Sequence, residues 1–204
     1  MEQNLKRLAT MQRLQVAGLE LFYQNGYYNT SVDDILKRLD LSKGAFYYHF
    51  KSKQDFFISI IQSLIVQKVY SALVQPIEGK EDPFTIIEKA LDAALETAEH
   101  NFIDNGFVLS NFIIETNGKD EEVNTYLNDI LKIWEVALVT SLQKGKTDGY
   151  VARHVDSEGV ASYIISSFIG VRAQMASGNA KSLRYKFIQQ LRAYFRALIP
   201  QPAH

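Results

Sequence analysis

Cysteine is missing from the chain altogether. That removes disulfides, thiolate metal sites and thiol redox chemistry, and it agrees with a reducing compartment. Metal-ligand spacing is missing too. The four histidines, at 49, 100, 154 and 204, stand apart with no His-x-x-x-His or Glu-x-x-His pair, so neither a metal nor another cofactor is expected. No stretch reaches the roughly 18 uncharged apolar residues of a membrane span, and the N-terminus, Met1 to Leu8, carries charges where a secretory leader has an apolar core. A soluble, cytoplasmic protein with no membrane partner is expected. Also absent are an internal repeat, a low-complexity tract and any alternation of period two beyond a few residues, which leaves an all-α fold.

What is present is enough apolar material for a real core, 47% of 204 residues, and a charge that is uneven. The net charge is -1, yet residues 1 to 53 hold eight Lys and Arg against five Asp and Glu, while residues 54 to 204 hold fourteen against eighteen. A small basic domain, 1–53, is therefore expected to face phosphates, and a larger one, 54–204, is not.

Helical spacing marks about nine helices. Residues 2 to 25 carry Leu5, Leu8, Leu14, Ala17, Leu21 and Phe22 on one face and stop at Asn25-Gly26, where glycine supplies a left-handed cap. Thr30 or Ser31 caps a short helix with Val32, Ile35, Leu36 and Leu39 on one side. A tight link, Asp40-Leu41-Ser42, leads to a second short helix; such a pair is a helix-turn-helix, whose second helix enters the DNA major groove. One helix runs from 52 to 75 and ends at Pro76. After the loop Ile77 to Pro83, five more are expected at about 84–100, 105–116, 120–146, 156–177 and 181–198. Val160, Ala161, Ile164, Ile165, Phe168, Ile169 and Val171, then Leu183, Phe187, Ile188, Leu191, Tyr194, Phe195 and Leu198, exceed a single apolar stripe on each of the last two. These helices, 156–177 and 181–198, are the expected homodimer interface.

The stretch Leu41 to Lys53 has the chemistry of a DNA reader. Ser42 caps the helix while its amides and those at Lys43 and Gly44 face a phosphate or base edge. Lys43 reaches a guanine edge, Gly44 lets the backbone come close and Ala45 packs on a thymine methyl. Phe46 and Phe50 point the other way as anchors. Tyr47, Tyr48 and His49 are phosphate donors, and Thr30 and Ser31 are expected on the opposite groove wall. The partner implied is a double-stranded, pseudo-palindromic operator.

The first fifty-odd residues resemble the TetR family of bacterial transcriptional regulators. The resemblance lies in Ala17 to Phe22, Gly26-Tyr27, Thr30-Ser31-Val32 with Ile35, Leu41-Ser42-Lys43-Gly44, Phe46-Tyr47-Tyr48-His49-Phe50 and Lys51-Ser52-Lys53. It implies a three-helix DNA-binding domain, a larger helical effector-binding and dimerisation domain, and repression relieved by a small molecule. It adds weight to Tyr47, Tyr48 and His49, and Lys53 resembles the family's phosphate-clamping lysine. Asp40 departs from the family's frequent turn glycine, Met11 from a basic residue, and Ala45 from Thr or Ser. Gly106 to Asn111 and Trp134-Glu135 are similar to a branch that includes sensors of small reactive or organic compounds; a cysteine used by some of those has no counterpart here.

An unknown small-molecule effector is expected among the helices of the larger domain, lined by Phe102, Phe107, Asn111, Glu115, Trp134, Tyr163, Phe168 and Arg172. The alternatives are a DNA-binding regulator without an effector, and a helical enzyme. Catalysis has little to stand on: Gly145-Lys146-Thr147 imitates the end of a phosphate-binding loop, but position 140 is Thr and the segment closes a helix.

Overall fold

A computed structural model describes residues 2–79, 81–100 and 107–200. Among the described residues there are nine helices and no strand: α1 Glu2–Asn25, α2 Val32–Leu39, α3 Lys43–Tyr47, α4 Lys53–Ile77, α5 Pro83–His100, α6 Val108–Thr116, α7 Glu121–Asp148, α8 Ser157–Met175 and α9 Ala180–Arg196. They form two compact units, one of residues 1–67 with 108–128 and one of residues 68–107 with 129–204.

Serines start α2, α3 and α4 of the first unit. Ser31 accepts from the Asp34 amide while Asp34 accepts from the Ser31 amide at 2.8 Å, a reciprocal capping box. Ser42 and Ser52 accept from the amides three residues on, at 3.3 and 3.0 Å. Two positive-φ residues make the turns. Gly26, at φ +89, closes α1 through its amide on the Phe22 carbonyl. Asp40, at φ 53 and ψ 49, ends α2 with its amide directed at the Leu36 and Lys37 carbonyls, so aspartate adopts the left-handed turn that glycine would enter without strain.

The core of this unit is aromatic. Phe22 meets Tyr27, Phe56 and Phe57 edge to face, with centroids 5.2, 5.9 and 5.1 Å apart, and Phe57 continues to Phe112 of α6 at 4.9 Å. Phe46 and Phe50, 0% and 4% exposed, both lie against Phe56, at 5.2 and 4.7 Å. Each such ring buries on the order of 150–250 Å², which is how a five-residue recognition helix, too short to hold itself, is fixed in place.

α4 differs from expectation in detail. Its turns widen to π geometry over Ile61–Ile65 and Tyr70–Val74, and Pro76 sits within a last tight turn, Gln75–Ile77, instead of terminating the helix. Its length and a mean hydropathy of 1.6 pass for a membrane span by composition, although Lys53, Asp55 and Lys68 keep its uncharged runs short of one. However, Phe56, Phe57, Ile60, Ile61, Ile65, Val69, Leu73 and Val74 are buried in protein, as in the core helix of a globular bundle.

In the second unit α5 packs on α9, with Phe84 against Phe195 at 4.8 Å, Arg184 on Asp92 at 2.7 Å and Arg192 on Glu88 at 2.8 Å. Much of the apolar surface of the last two helices is thereby covered, while Ile169, Leu183, Phe187, Tyr194 and Leu198 stay half-exposed. Val160, Ala161, Ile164, Ile165, Phe168, Val171, Ile188, Leu191 and Phe195 are all buried within the unit. What α8 leaves uncovered is a strip of mostly small residues, Ser162, Tyr163, Ser166, Ala173 and Gln174, flanking half-buried Ile169 and Gly170. Gly145, the centre of the phosphate-loop imitation, lies inside this unit where a Cβ would overlap Pro83 and Val151; its smallness serves helix packing.

Candidate nucleic-acid interface

α3 presents two faces of opposite character. Its inner face is Phe46; its outer face is Lys43, Gly44, Tyr47 and, one residue beyond, Tyr48, with Tyr47 and Tyr48 56% and 71% exposed. Ala45 is half-buried, and Ser42 is exposed at the cap. Gly44 would bring a Cβ within 4 Å of the Ser42 hydroxyl alone, so its side of the helix is open to a close approach. His49 is half-buried between the Tyr48 and Phe50 rings, at 5.1 and 6.0 Å. Burial, then the nearby Arg7 charge, holds its pKa below the ordinary imidazole value, which favours a neutral ring that donates one hydrogen bond.

Lys43 is not idle in the free protein. Its ammonium lies 3.0 Å from the Asp33 carboxylate of α2. Ser31 is exposed beside it, with its hydroxyl on Asp34 at 2.6 Å.

Two expected DNA contacts face inward instead. Thr30 is 1% exposed, and its hydroxyl donates to the Gly26 carbonyl at 2.8 Å and the Leu21 carbonyl at 3.2 Å, so it closes the end of α1 and offers nothing to a groove wall. Lys53 donates to the Tyr27 carbonyl at 2.8 Å and the Thr30 carbonyl at 3.1 Å, with its ammonium 4.4 Å from the Tyr27 ring centre. Two of its three hydrogens are engaged in holding the turn between α1 and α2, and burial pulls its pKa down.

Tyr28 of the same turn is held by α6 and the residues after it: Glu115 accepts from the Tyr28 amide at 3.0 Å and Lys119 lies 5.0 Å above the Tyr28 ring. Gln54, in the first turn of α4, donates to Asp120 at 3.1 Å. Glu115, expected in a ligand pocket, instead has its carboxylate bound to the Tyr28 backbone amide within the first unit. Asn111, on the same helix, is exposed.

Of the other expected pocket residues, Phe107, Trp134 and Phe168 come together in the second unit, buried, with centroids 5.4 to 6.0 Å apart. Trp134 is fully buried, and its indole nitrogen has no hydrogen-bond partner among the described residues. Arg172, one turn beyond Phe168 on α8, is 5% exposed. Tyr163 is half-exposed against Tyr194, at 4.5 Å, and does not join the cluster. Phe102 and Gly106 lie outside the described residues.

Comparison with known proteins places these features. The model of bacterial regulatory proteins of the tetR family matches residues 15–60, and that of the tetracyclin repressor-like C-terminal domain matches residues 84–191. The chain is 27% identical over 203 residues, 96% of each chain, to the HTH-type transcriptional repressor DhaR of Mycobacterium sp. (strain GP1). Its fold is similar to a TetR transcriptional regulator from Chloroflexus aurantiacus (TM-score 0.84, 23% identity, covering 95% of this chain and 98% of that one). It is also similar to FadR from Bacillus subtilis in complex with stearoyl-CoA (TM-score 0.72, 17% identity, covering 88% and 96%). With one model over the helix-turn-helix and the other over more than half of the chain, this protein belongs to the TetR family: it is a DNA-binding transcriptional regulator and not an enzyme.

Proposed function

We propose that the protein is a cytoplasmic, ligand-responsive repressor that binds a pseudo-palindromic operator as a dimer and is released by a small-molecule effector. The observation that carries the first part is the two-faced α3: Phe46 and Phe50 anchored in the aromatic core, with Lys43, Gly44, Tyr47 and Tyr48 outward. Ser31, Ser42, Ala45 and His49 complete the DNA-facing set, while Thr30 and Lys53 support it from behind. A dimer through α8 and α9 would set two recognition helices roughly 34–36 Å apart, or at a stretch of that spacing, in successive major grooves. The small-residue strip on α8 supports this, since it allows a copy of the same helix to approach closely.

For the effector, the unpartnered Trp134 indole carries the argument. A buried N–H without an acceptor costs about 1–3 kcal/mol, and a ligand oxygen beside the Phe107, Trp134 and Phe168 rings would remove that cost. The effector read from these groups is apolar or aromatic with one acceptor. FadR, a relative in fold, is seen with a stearoyl-CoA. Release would follow because Glu115 ties α6 to the turn before the reading helices and Gln54 ties the start of α4 to Asp120 at the start of α7. A coupling of ~1–3 kcal/mol would loosen DNA about 5- to 150-fold.

The test is a thermal-shift screen of apolar acids, aldehydes and aromatic compounds on the full chain, followed by DNA release. A compound that raises the melting temperature must also dissociate the operator complex, and Trp134→Phe must weaken both effects. Stabilisation without release would leave a DNA-binding regulator that has no effector of this kind.

A further inference from the structure

An acid on a phosphate-facing surface opposes binding unless it has work to do there. Asp33 is such an acid. It stands in the first turn of α2, 63% exposed, and its carboxylate meets the Lys43 ammonium at 3.0 Å. It is not needed as a cap, because Asp34 and Ser31 form the capping box between themselves. Nor does a pair with both side chains more than 60% exposed add much stability. Asp33 does place its carboxylate on the ammonium of Lys43, the first residue of the recognition helix.

The resulting pattern, a donor and an acceptor about one hydrogen-bond length apart, has a counterpart in the major groove. Across a G·C pair the groove edge offers two guanine acceptors, N7 and O6, followed by the cytosine N4 donor. O6 and N4 are themselves hydrogen-bonded in the base pair, so they are separated by about the same length as the ion pair. Across an A·T pair the donor sits in the middle, between two acceptors, and the thymine methyl follows. Thymine O4 and adenine N6 also offer an acceptor beside a donor, but only the G·C edge adds a second acceptor, N7, next to the first, and an ammonium that gives one hydrogen to a carboxylate has two left for N7 and O6.

We propose that Asp33 and Lys43 act as one base-reading pair that recognises a G·C pair in each half-site, Lys43 on guanine and Asp33 on the cytosine amino group. Asp33 thereby also disfavours binding to phosphate alone. This rests on the reading of the α3 face as the DNA interface.

The experiment is selection from a pool of random duplexes with the full-length protein, followed by fluorescence anisotropy on the winning duplex and on each single base-pair substitution of it. The wild-type protein is expected to show one position per half-site where G·C to A·T weakens binding about 5- to 150-fold. Asp33→Ala and the isosteric Asp33→Asn should reduce that ratio at this position and no other. Both should bind random-sequence duplex more tightly than wild type, with a salt slope steeper by about one per chain. Lys43→Ala should lose the ratio at the same position. Retention of the full ratio by both Asp33 variants, or unchanged affinity for random duplex, overturns the proposal while leaving DNA reading intact. Failure of the wild-type protein to enrich any sequence overturns both.

Discussion

Lys53→Met separates two accounts of one residue. The side chain bonds the Tyr27 and Thr30 carbonyls at 2.8 and 3.1 Å and sits 4.4 Å from the Tyr27 ring centre. Methionine keeps the apolar stem and removes the ammonium. A hydrogen bond from a charged donor contributes about 1.5–3 kcal/mol. Here the site is half-buried, so water takes over part of what is lost, and the two bonds share one ammonium whose desolvation already costs something. A net loss of ~2 kcal/mol follows, which for a chain of this size lowers the melting temperature by about 4–8 °C. The assay is thermal unfolding paired with operator binding across a salt series at a temperature where the variant is folded. The structure predicts a destabilised protein with an unchanged salt slope. An unchanged melting temperature with a slope reduced by about 0.9 per chain would make Lys53 a phosphate contact and refute the reasoning.

Three further outcomes follow from the same unit. Thr30→Val should destabilise by about 1–3 kcal/mol, because the hydroxyl that serves the Leu21 and Gly26 carbonyls is gone, and should leave the salt slope of operator binding alone; thermal melts and anisotropy check both. Glu115→Ala should speed hydrogen exchange at the Tyr28 amide and cost about 0.5–1.5 kcal/mol, whereas Glu115→Gln, which keeps an acceptor, should recover most of it. Burial depresses the His49 pKa in the free fold, so the fold favours the neutral ring and loses stability as pH falls below the ordinary imidazole value of 6.5. A phosphate beside it would raise the pKa, so operator binding should take up a proton and tighten as the pH falls through the imidazole range, and His49→Gln should flatten that dependence.

Much of the fold was legible because local signals carried it. Ser31, Ser42, Ser52 and Asp156 each cap a helix start, and the apolar spacing of α7, α8 and α9 places their ends within two or three residues of expectation. Phe46 and Phe50 follow from four-residue spacing on one face. The misreadings share a cause, which is that partners far along the chain decide what a polar group does. Glu115 follows the apolar run Phe112-Ile113-Ile114, which suggested a pocket, but its partner is an amide 87 residues away and Ile114 is 74% exposed. Thr30 has the residue type of a groove contact, yet the nearest free acceptors are carbonyls at the end of α1. α5 covers part of the apolar surface of α9, an arrangement that periodicity within each helix does not contain, and Leu183, Phe187 and Tyr194 stay half-exposed there.

Nothing in the sequence sets Asp33 apart, since an acid is the ordinary choice for the first turn of a helix. Only its distance to Lys43 distinguishes it from Asp34, which does that ordinary work.

The central claim is that two copies of α3 read two half-sites. Hydroxyl-radical footprinting of the selected duplex, with the mass of the complex measured in parallel, tests it most directly. Two chains per duplex are expected, or a multiple of two, with protected patches related by a dyad and centred roughly one helical turn, or a stretch of it, apart. That protection should be lost in Tyr47→Ala combined with Lys43→Ala. A single unsymmetrical patch, one chain per duplex, or a footprint that survives the double substitution would contradict it.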